Sequence, residues 1–143
     1  NSTVIGDYLQ PKVRFSGSGG ACDVASFVSR TIIFMQHEKR KFVSHLDYLT
    51  SPGWLDGPDG RKNAGLPSGG PSAVVSNLAL MRFDQQSKEM FLSGYYPGVE
   101  PQAVLNHMSF SMDISRAREI QPPTKAELDI LRNQCDPQRL ILG

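Results

Sequence analysis

Gly17-Ser18-Gly19-Gly20, then Ala21-Cys22-Asp23-Val24-Ala25-Ser26-Phe27-Val28-Ser29-Arg30, then Thr31-Ile32-Ile33-Phe34-Met35: the order of these three stretches decides the fold. Four breaker residues precede a segment whose Ala, Val, Phe and Val recur at helical spacing, which predicts a short helix over 21–30. Thr31 to Met35 is an uninterrupted β-branched and apolar run. Such a run predicts a strand buried on both faces, as in a parallel sheet covered by helices. Extended chain, glycine turn, helix and buried strand together read as a βαβ unit, hence an open, mostly parallel α/β sheet with flanking helices.

Working outward, residues 1–16 read as an extended arm with apolar Val4, Ile5, Tyr8, Val13 and Phe15 scattered along it. After Met35 the chain turns polar and basic, and from Ser51-Pro52-Gly53-Trp54 through Gly65 to Pro71 it is dense in turn formers. That density predicts a long surface loop region, which inside a compact domain is usually functional or disordered. Ala73 to Val75, Leu78 to Phe83 and Met90 to Tyr96, with a polar turn at Asp84 to Lys88, predict an antiparallel hairpin or meander near 72–96. Glu100-Pro101 opens a short helix reaching Met108, and Pro122-Pro123 interrupts the chain. Thr124-Lys125-Ala126-Glu127 has capping-box spacing, and Leu128, Ile130 and Leu131 give the last helix an apolar side.

A chain of 143 residues with 39% hydrophobic and 20% charged residues is one ordered domain, 1–143, able to bury a core. Its net charge of +1 creates no field of the kind nucleic-acid binders carry, which points to a small molecule or another subunit as partner. No apolar run reaches membrane-span length and no signal peptide opens the chain. Cys22 and Cys135 stand far apart, outside metal-ligand spacing, and read as buried or free thiols in a reducing, cytoplasmic compartment. No second histidine or cysteine accompanies His37 at ligand spacing, so no metal site is expected. The chain starts at Asn1 without a methionine, which suggests that processing or truncation has removed something.

Among residues able to carry chemistry, the glycine segment is the sharpest feature. Glycines admit positive φ and close approach of a ligand to the main chain, and a helix starting behind them points unpaired N–H groups at one place. The same four residues also fit a flexible linker, although the helix and strand that follow argue against one. Gln36 and His37 directly follow the buried strand, where α/β sheets bind ligands, but a hydrogen-bonding histidine in a solvated basic stretch fits equally. Trp54 and Arg61 lie in the turn-rich loop. There an arginine could hold a substrate carboxylate through two hydrogen bonds, or the loop could simply be turns.

Several ordered blocks go further than any of these single features. Asn1 to Tyr8, Arg14 to Ala21, Thr31 to Phe42, Thr50 to Trp54, Asp56-Gly57-Pro58, Gly65-Leu66-Pro67 and Tyr95-Tyr96-Pro97 resemble the β subunits of the glutaconate-type, family I CoA-transferases, in their C-terminal half. The resemblance implies a fold like that of the ribose-phosphate isomerase group, incomplete in this chain. It implies transfer of CoA from an acyl-CoA of a dicarboxylic or related acid to a free carboxylate through a glutamyl-CoA thioester, with coenzyme A as substrate and no permanently bound cofactor.

On the same ground, the backbone of Gly19, Gly20 and Ala21 supplies an oxyanion hole, Gly17 and Ser18 shape the loop, and Gln36 and His37 lie near substrate or CoA, while Trp54 and Arg61 are candidates for that contact from their loop alone. None of Glu38, Glu89, Glu100, Glu119 and Glu127 matches the family's nucleophile, so the carboxylate is expected upstream of this segment and the chain alone is expected to be inactive. The implied partners are the missing N-terminal half of the subunit, an α subunit and acyl-CoA. Two alternatives remain open: a CoA-thioester ring-opening hydrolase on the same fold, and a non-catalytic ligand-binding or assembly module.

Overall fold

The computed structural model describes residues 1–141. Its centre is a five-stranded sheet in the order β3-β4-β5-β6-β7, formed by Thr31–Phe34, Pro71–Val75, Ala79–Phe83, Met90–Tyr95 and Arg118–Glu119. The β3–β4 and β6–β7 pairs are parallel, whereas β4–β5 and β5–β6 are antiparallel. Four strands therefore run one way and β5 alone runs back, as expected of a largely parallel sheet carrying a meander over 72–96.

The core lies on one face of this sheet. Val74, Met81 and Leu92 sit side by side in register on β4, β5 and β6, and all three are buried. Helix α3, Pro101–Asn106, covers them with Val104, and the chain beyond it adds Met108 and Met112. Each such side chain removed from water contributes about 1.5–3 kcal/mol. Proline at the first helical position starts α3 as the sequence predicts, since the missing N–H is one the helix leaves unpaired in any case. At the sheet's far side, Gly94 allows β7 to pack closely. A Cβ there would meet Ile120 Cγ1 at 2.6 Å.

Residues 1–16 do more than extend. Val4–Gly6 (β1) and Pro11–Arg14 (β2) form an antiparallel hairpin apart from the main sheet. Asp7 turns it by accepting the Leu9 and Gln10 amides through its carboxylate. This corrects the βαβ reading around the glycines: the strand before them pairs with β1, not with β3. The parallel crossover in this chain runs from β3 through α2, Gly60–Asn63, to β4. Helix α1 occupies Ala21–Phe27 and stops three residues short of the expected end, because Val28 is already extended at φ −81° and ψ 150°.

The largest correction concerns β3. Expected to be covered on both faces, it is an edge strand in this chain, and Ile32 and Phe34 are 59% and 84% exposed. At the C-terminus, Thr124 and Glu127 form the capping box the sequence calls for, opening α4, Lys125–Asp129, which passes into a π-helical turn at Ile130–Cys135. Its apolar residues Ile130 and Leu131 face solvent. No helix among the described residues is long and apolar enough to cross a membrane, and no group of three or more metal-ligating side chains is found among them.

Candidate functional site

The glycine segment begins where the β1–β2 ladder ends. The Gly17 amide donates to the Ser2 carbonyl at 3.0 Å, the last rung before the turn. Gly17 and Gly19 take φ of +91° and +53°, the left-handed region where a side chain is strained. The Ala21 amide then donates back to the Ser18 carbonyl at 3.1 Å, closing the turn, and the Gly20 carbonyl accepts the first helical bond, from Val24. The Ala21 amide, expected from sequence among the oxyanion donors, is thus bonded within the turn. Among the described residues, Gly19 and Gly20 have amides with no internal acceptor. Both are exposed, and Cβ atoms built at Gly17, Gly19 and Gly20 would meet nothing within 4 Å. The segment presents an open surface of main chain, beside a helix whose Val24 and Phe27 also face solvent.

Gln36 and His37 part company. Gln36 is exposed. His37 is 4% exposed, its ring stacked on Phe42 with centroids 4.3 Å apart. Its Nε2–H donates to the Val104 carbonyl at 3.1 Å, and Nδ1 lies 3.0 Å from the Ser76 hydroxyl. The carbonyl can only accept, so the neutral ring carries its proton on Nε2 and accepts at Nδ1. Burial pushes the His37 pKa below the ordinary imidazole value, the Val104 carbonyl partly opposes this, and the charge of His107 lowers it further. With both nitrogens committed, His37 fastens β3 to α3 and to the turn between β4 and β5. Sequence alone places it near substrate or CoA; in this chain its ring is buried and its hydrogen bonds are internal. The basic stretch behind it is held at the surface by Glu38, which pairs with Arg40 and Lys41.

Arg61 also lies inside. It is 3% exposed, and its guanidinium donates to the carbonyls of Ala25 (3.1 Å), Gly53 (3.2 Å) and Ser26 (2.8 Å). Ala25 and Ser26 are in the last turn of α1, where carbonyls lack intrahelical partners and the helix dipole favours a cation. Its Nε is buried with no partner among the described residues. Arg61 thus ties the crossover loop to the end of α1.

Trp54 donates its indole N–H to the Pro71 carbonyl at 2.9 Å and its ring packs on Gly70, where an added Cβ would come within 3.1 Å of it. One part of it stays accessible. It lines a cleft of about 290 Å³ with Ser29, Arg30 and Lys88, and the Lys88 ammonium is 4.7 Å from the ring centroid. The structure therefore keeps the glycine segment and Gln36 at the surface, Trp54 half-buried in a separate cleft, and His37 and Arg61 inside.

Sequence reading misses the pair that makes the His37 site work. Ser76 is buried, and its hydroxyl accepts the Ala79 amide, while Asn77 Oδ1 accepts the His37 amide at 2.7 Å. A Ser-Asn dipeptide between two strands signals a tight turn, but nothing local to it announces a partner some forty residues away. Cys22 is half-buried and Cys135 exposed, both as free thiols.

Residues 1–107 match the family model described as Coenzyme A transferase. The chain is similar to the β subunit of glutaconate CoA-transferase from Acidaminococcus fermentans, 49% identical over 143 residues, which is 99% of this chain and 53% of that protein. It is 37% identical over 133 residues to the β subunit of 3-oxoadipate CoA-transferase from Pseudomonas knackmussii, which is 92% of this chain and 51% of the relative. The crystal structure of the Acidaminococcus fermentans glutaconate coenzyme A-transferase superposes with a TM-score of 0.91 at 47% identity, covering all of this chain and 55% of that one. A further match, Rhodococcus jostii RHA1 IpdAB, has a TM-score of 0.79 at 25% identity and covers 98% of this chain and 56% of that one. The chain spans about half the length of the relatives it matches.

Proposed function

The chain belongs to the Coenzyme A transferase family, and from that premise we propose that it forms part of an enzyme that moves CoA from an acyl-CoA, of a dicarboxylic or related acid, to a free carboxylate. The single observation carrying this reading is the 49% identity to a glutaconate CoA-transferase polypeptide along 99% of the chain. Fold alone would not carry it, because the same architecture at 16% identity includes the decarboxylase AibA/AibB.

In the proposed reaction a glutamate carboxylate attacks the thioester carbonyl and expels the CoA thiolate, leaving an acyl-glutamyl anhydride. The thiolate then attacks the glutamyl carbonyl, frees the acid and forms a glutamyl-CoA thioester, which the acceptor carboxylate resolves by the same two steps in reverse. Every addition places negative charge on a carbonyl oxygen. Our reading gives Gly19 and Gly20 the task of meeting that charge with their unpaired amides, while Gly17, Ser18 and the Ser18–Ala21 bond hold the turn. Support comes from the positive φ at Gly17 and Gly19 and from the absence of any side chain over the segment. Amides fixed in advance are worth about 2.7–4 kcal/mol each to such an oxyanion. Gln36 and Trp54 are left as the surface candidates for contact with CoA or substrate.

The nucleophile is assigned to the rest of the subunit, and an α subunit and acyl-CoA are the proposed partners. The chain by itself is proposed to be inactive. The test is to express the intact subunit with its companion and supply glutaryl-CoA with acetate. Acetyl-CoA formation, together with a CoA adduct on a glutamate found by mass spectrometry outside residues 1–143, supports the reading. Release of free CoA without an adduct would assign thioester hydrolysis instead, and CoA exchange by the 143-residue chain alone would place the nucleophile within it.

A further inference from the structure

Arg61 is a buried cation to which the proposed chemistry assigns no task. It lies in α2, while its partners lie on α1 and in the loop before α2. The last helical bond of α1 runs from the Val28 amide to the Val24 carbonyl. The next two carbonyls, of Ala25 and Ser26, accept from Nη1 and Nη2 of Arg61 at 3.1 and 2.8 Å, and Nη1 also donates to the Gly53 carbonyl at 3.2 Å. A planar guanidinium that grips two successive carbonyls fixes the direction of the helix as well as its distance, which one compact ammonium does not.

The loop that carries Arg61 is itself braced. Trp54 ties it to the start of β4 through the indole bond to Pro71. Leu55 is held at φ +55°, a region a leucine occupies only where its surroundings impose it. Gly60, directly before Arg61, passes so close to the Trp54 carbonyl that a Cβ there would lie 2.6 Å from its oxygen. Gly69, at φ +129°, runs against the chain that leaves α1, where a Cβ would meet the Val28 and Ser29 carbonyls at 2.8 and 2.7 Å. Sheet, loop and the end of α1 thus meet in one joint. At the other end of the same seven-residue helix stand Gly19 and Gly20.

We propose that Arg61 is a positioning residue for the reaction: by gripping the end of α1 it sets the direction of the Gly19 and Gly20 amides relative to the sheet. This rests on the reading of the glycine turn as the oxyanion site of a CoA-transferase, and it adds the residue that aims the turn. From Ser26 back to Gly20 the helix spans about 9 Å at a rise of about 1.5 Å per residue. A tilt of about 6° over that lever moves the amides by about 1 Å, and a misplacement of about 1 Å can cost about 100-fold in rate. Because an oxyanion forms only as the reaction proceeds, loss of the guanidinium falls on kcat and spares KM.

The test uses the intact subunit assembled with its companion, with glutaryl-CoA as donor and acetate as acceptor. Arg61→Met should lower kcat about 10- to 100-fold and leave KM for glutaryl-CoA within about twofold. Arg61→Lys should recover only part of kcat, and it carries the same measurements if Arg61→Met does not assemble. Gly94→Ala, a destabilising change on the far side of the sheet, should keep kcat within about twofold, which separates aiming of the turn from general loss of stability. Crystal structures of the assembled native and Arg61→Met enzymes should show the Gly19 and Gly20 amides displaced by about 1 Å, with β4 to β6 unmoved. An unchanged kcat in Arg61→Met, a fall in kcat without displacement, or an equal fall in Gly94→Ala would overturn the proposal. So would a tenfold rise in KM at unchanged kcat, which would make Arg61 a ligand contact. A turn displaced by Arg61→Met in an enzyme whose native form transfers no CoA would leave the aiming of the turn standing and remove the transferase function.

Discussion

Replacing Arg61 with methionine separates the two roles an arginine in a loop can have. The guanidinium holds three carbonyls at 2.8–3.2 Å, two of them at the end of α1. Hydrogen bonds from a charged donor are worth about 1.5–3 kcal/mol each, so the gross loss is about 4–9 kcal/mol. Against it stand the cost of keeping a cation out of water, several kcal/mol, and the unpaired Nε, about 1–3 kcal/mol, both of which the substitution relieves. The expected net destabilisation is about 2–4 kcal/mol, within the range for breaking a buried polar network. Urea denaturation of the intact subunit should show it as a lower midpoint with an unchanged slope. KM for acyl-CoA in the remaining folded enzyme should stay within about twofold, because the donors of Arg61 are engaged by carbonyls of the chain itself. Arg61→Lys should recover less than half of the loss, since one compact ammonium cannot reproduce the planar fork. A midpoint unchanged to within about 0.5 kcal/mol, combined with a KM raised tenfold or more, would refute the clamp and restore the ligand role.

Gly20 sits at φ −71° and ψ −4°, which any residue adopts, and nothing in this chain would touch its Cβ. Gly20→Ala should therefore cost at most about 1 kcal/mol of stability yet lower kcat/KM of the intact enzyme at least tenfold; an unchanged kcat/KM would mean that no substrate approaches this turn. His37 makes stability pH-dependent in a definite direction. Its folded-state pKa lies below the unfolded value near 6.5, so the unfolded chain takes the proton first and stability falls as pH drops below about 6.5, by up to about 1.4 kcal/mol per pH unit. Denaturation at pH 7.5 and 5.5 should show this slope in the native protein and lose it in His37→Gln, and equal slopes in the two would reject it. Gly94→Ala should displace Ile120 and cost about 1–3 kcal/mol. Ile120→Ala in the same chain should recover part of that cost, and strict additivity of the two changes in a double-mutant cycle would show that the contact is not the cause.

Local patterns are legible where they are settled locally. Proline at the start of α3, the Thr124–Glu127 capping box and the alternating strands of the 72–96 meander each depend on residues within a few positions of one another. The N-terminal hairpin escapes a sequence reading because its turn is made by the Asp7 side chain, not by a glycine-rich pair. Its place is then set by distant residues, with Asp47 accepting the Gly6 amide and the Thr50 hydroxyl the Ser2 amide. For the candidate site, the glycine segment is legible because positive φ leaves a mark in composition. The fates of His37 and Arg61 are not, because a polar side chain carries no local sign of which way it will turn.

The amino-acid sequence by itself determined the family, the glycine turn followed by a helix, and the apolar character of β3, since each is written in the order of neighbouring residues. Only the tertiary structure decided that His37 and Arg61 belong to the interior, and that β3 lies uncovered beside its glycine-led helix. Burial and hydrogen-bond partnership depend on what lies across space: His37 reaches Val104, 67 residues on, and Arg61 reaches back 35 residues to Ser26.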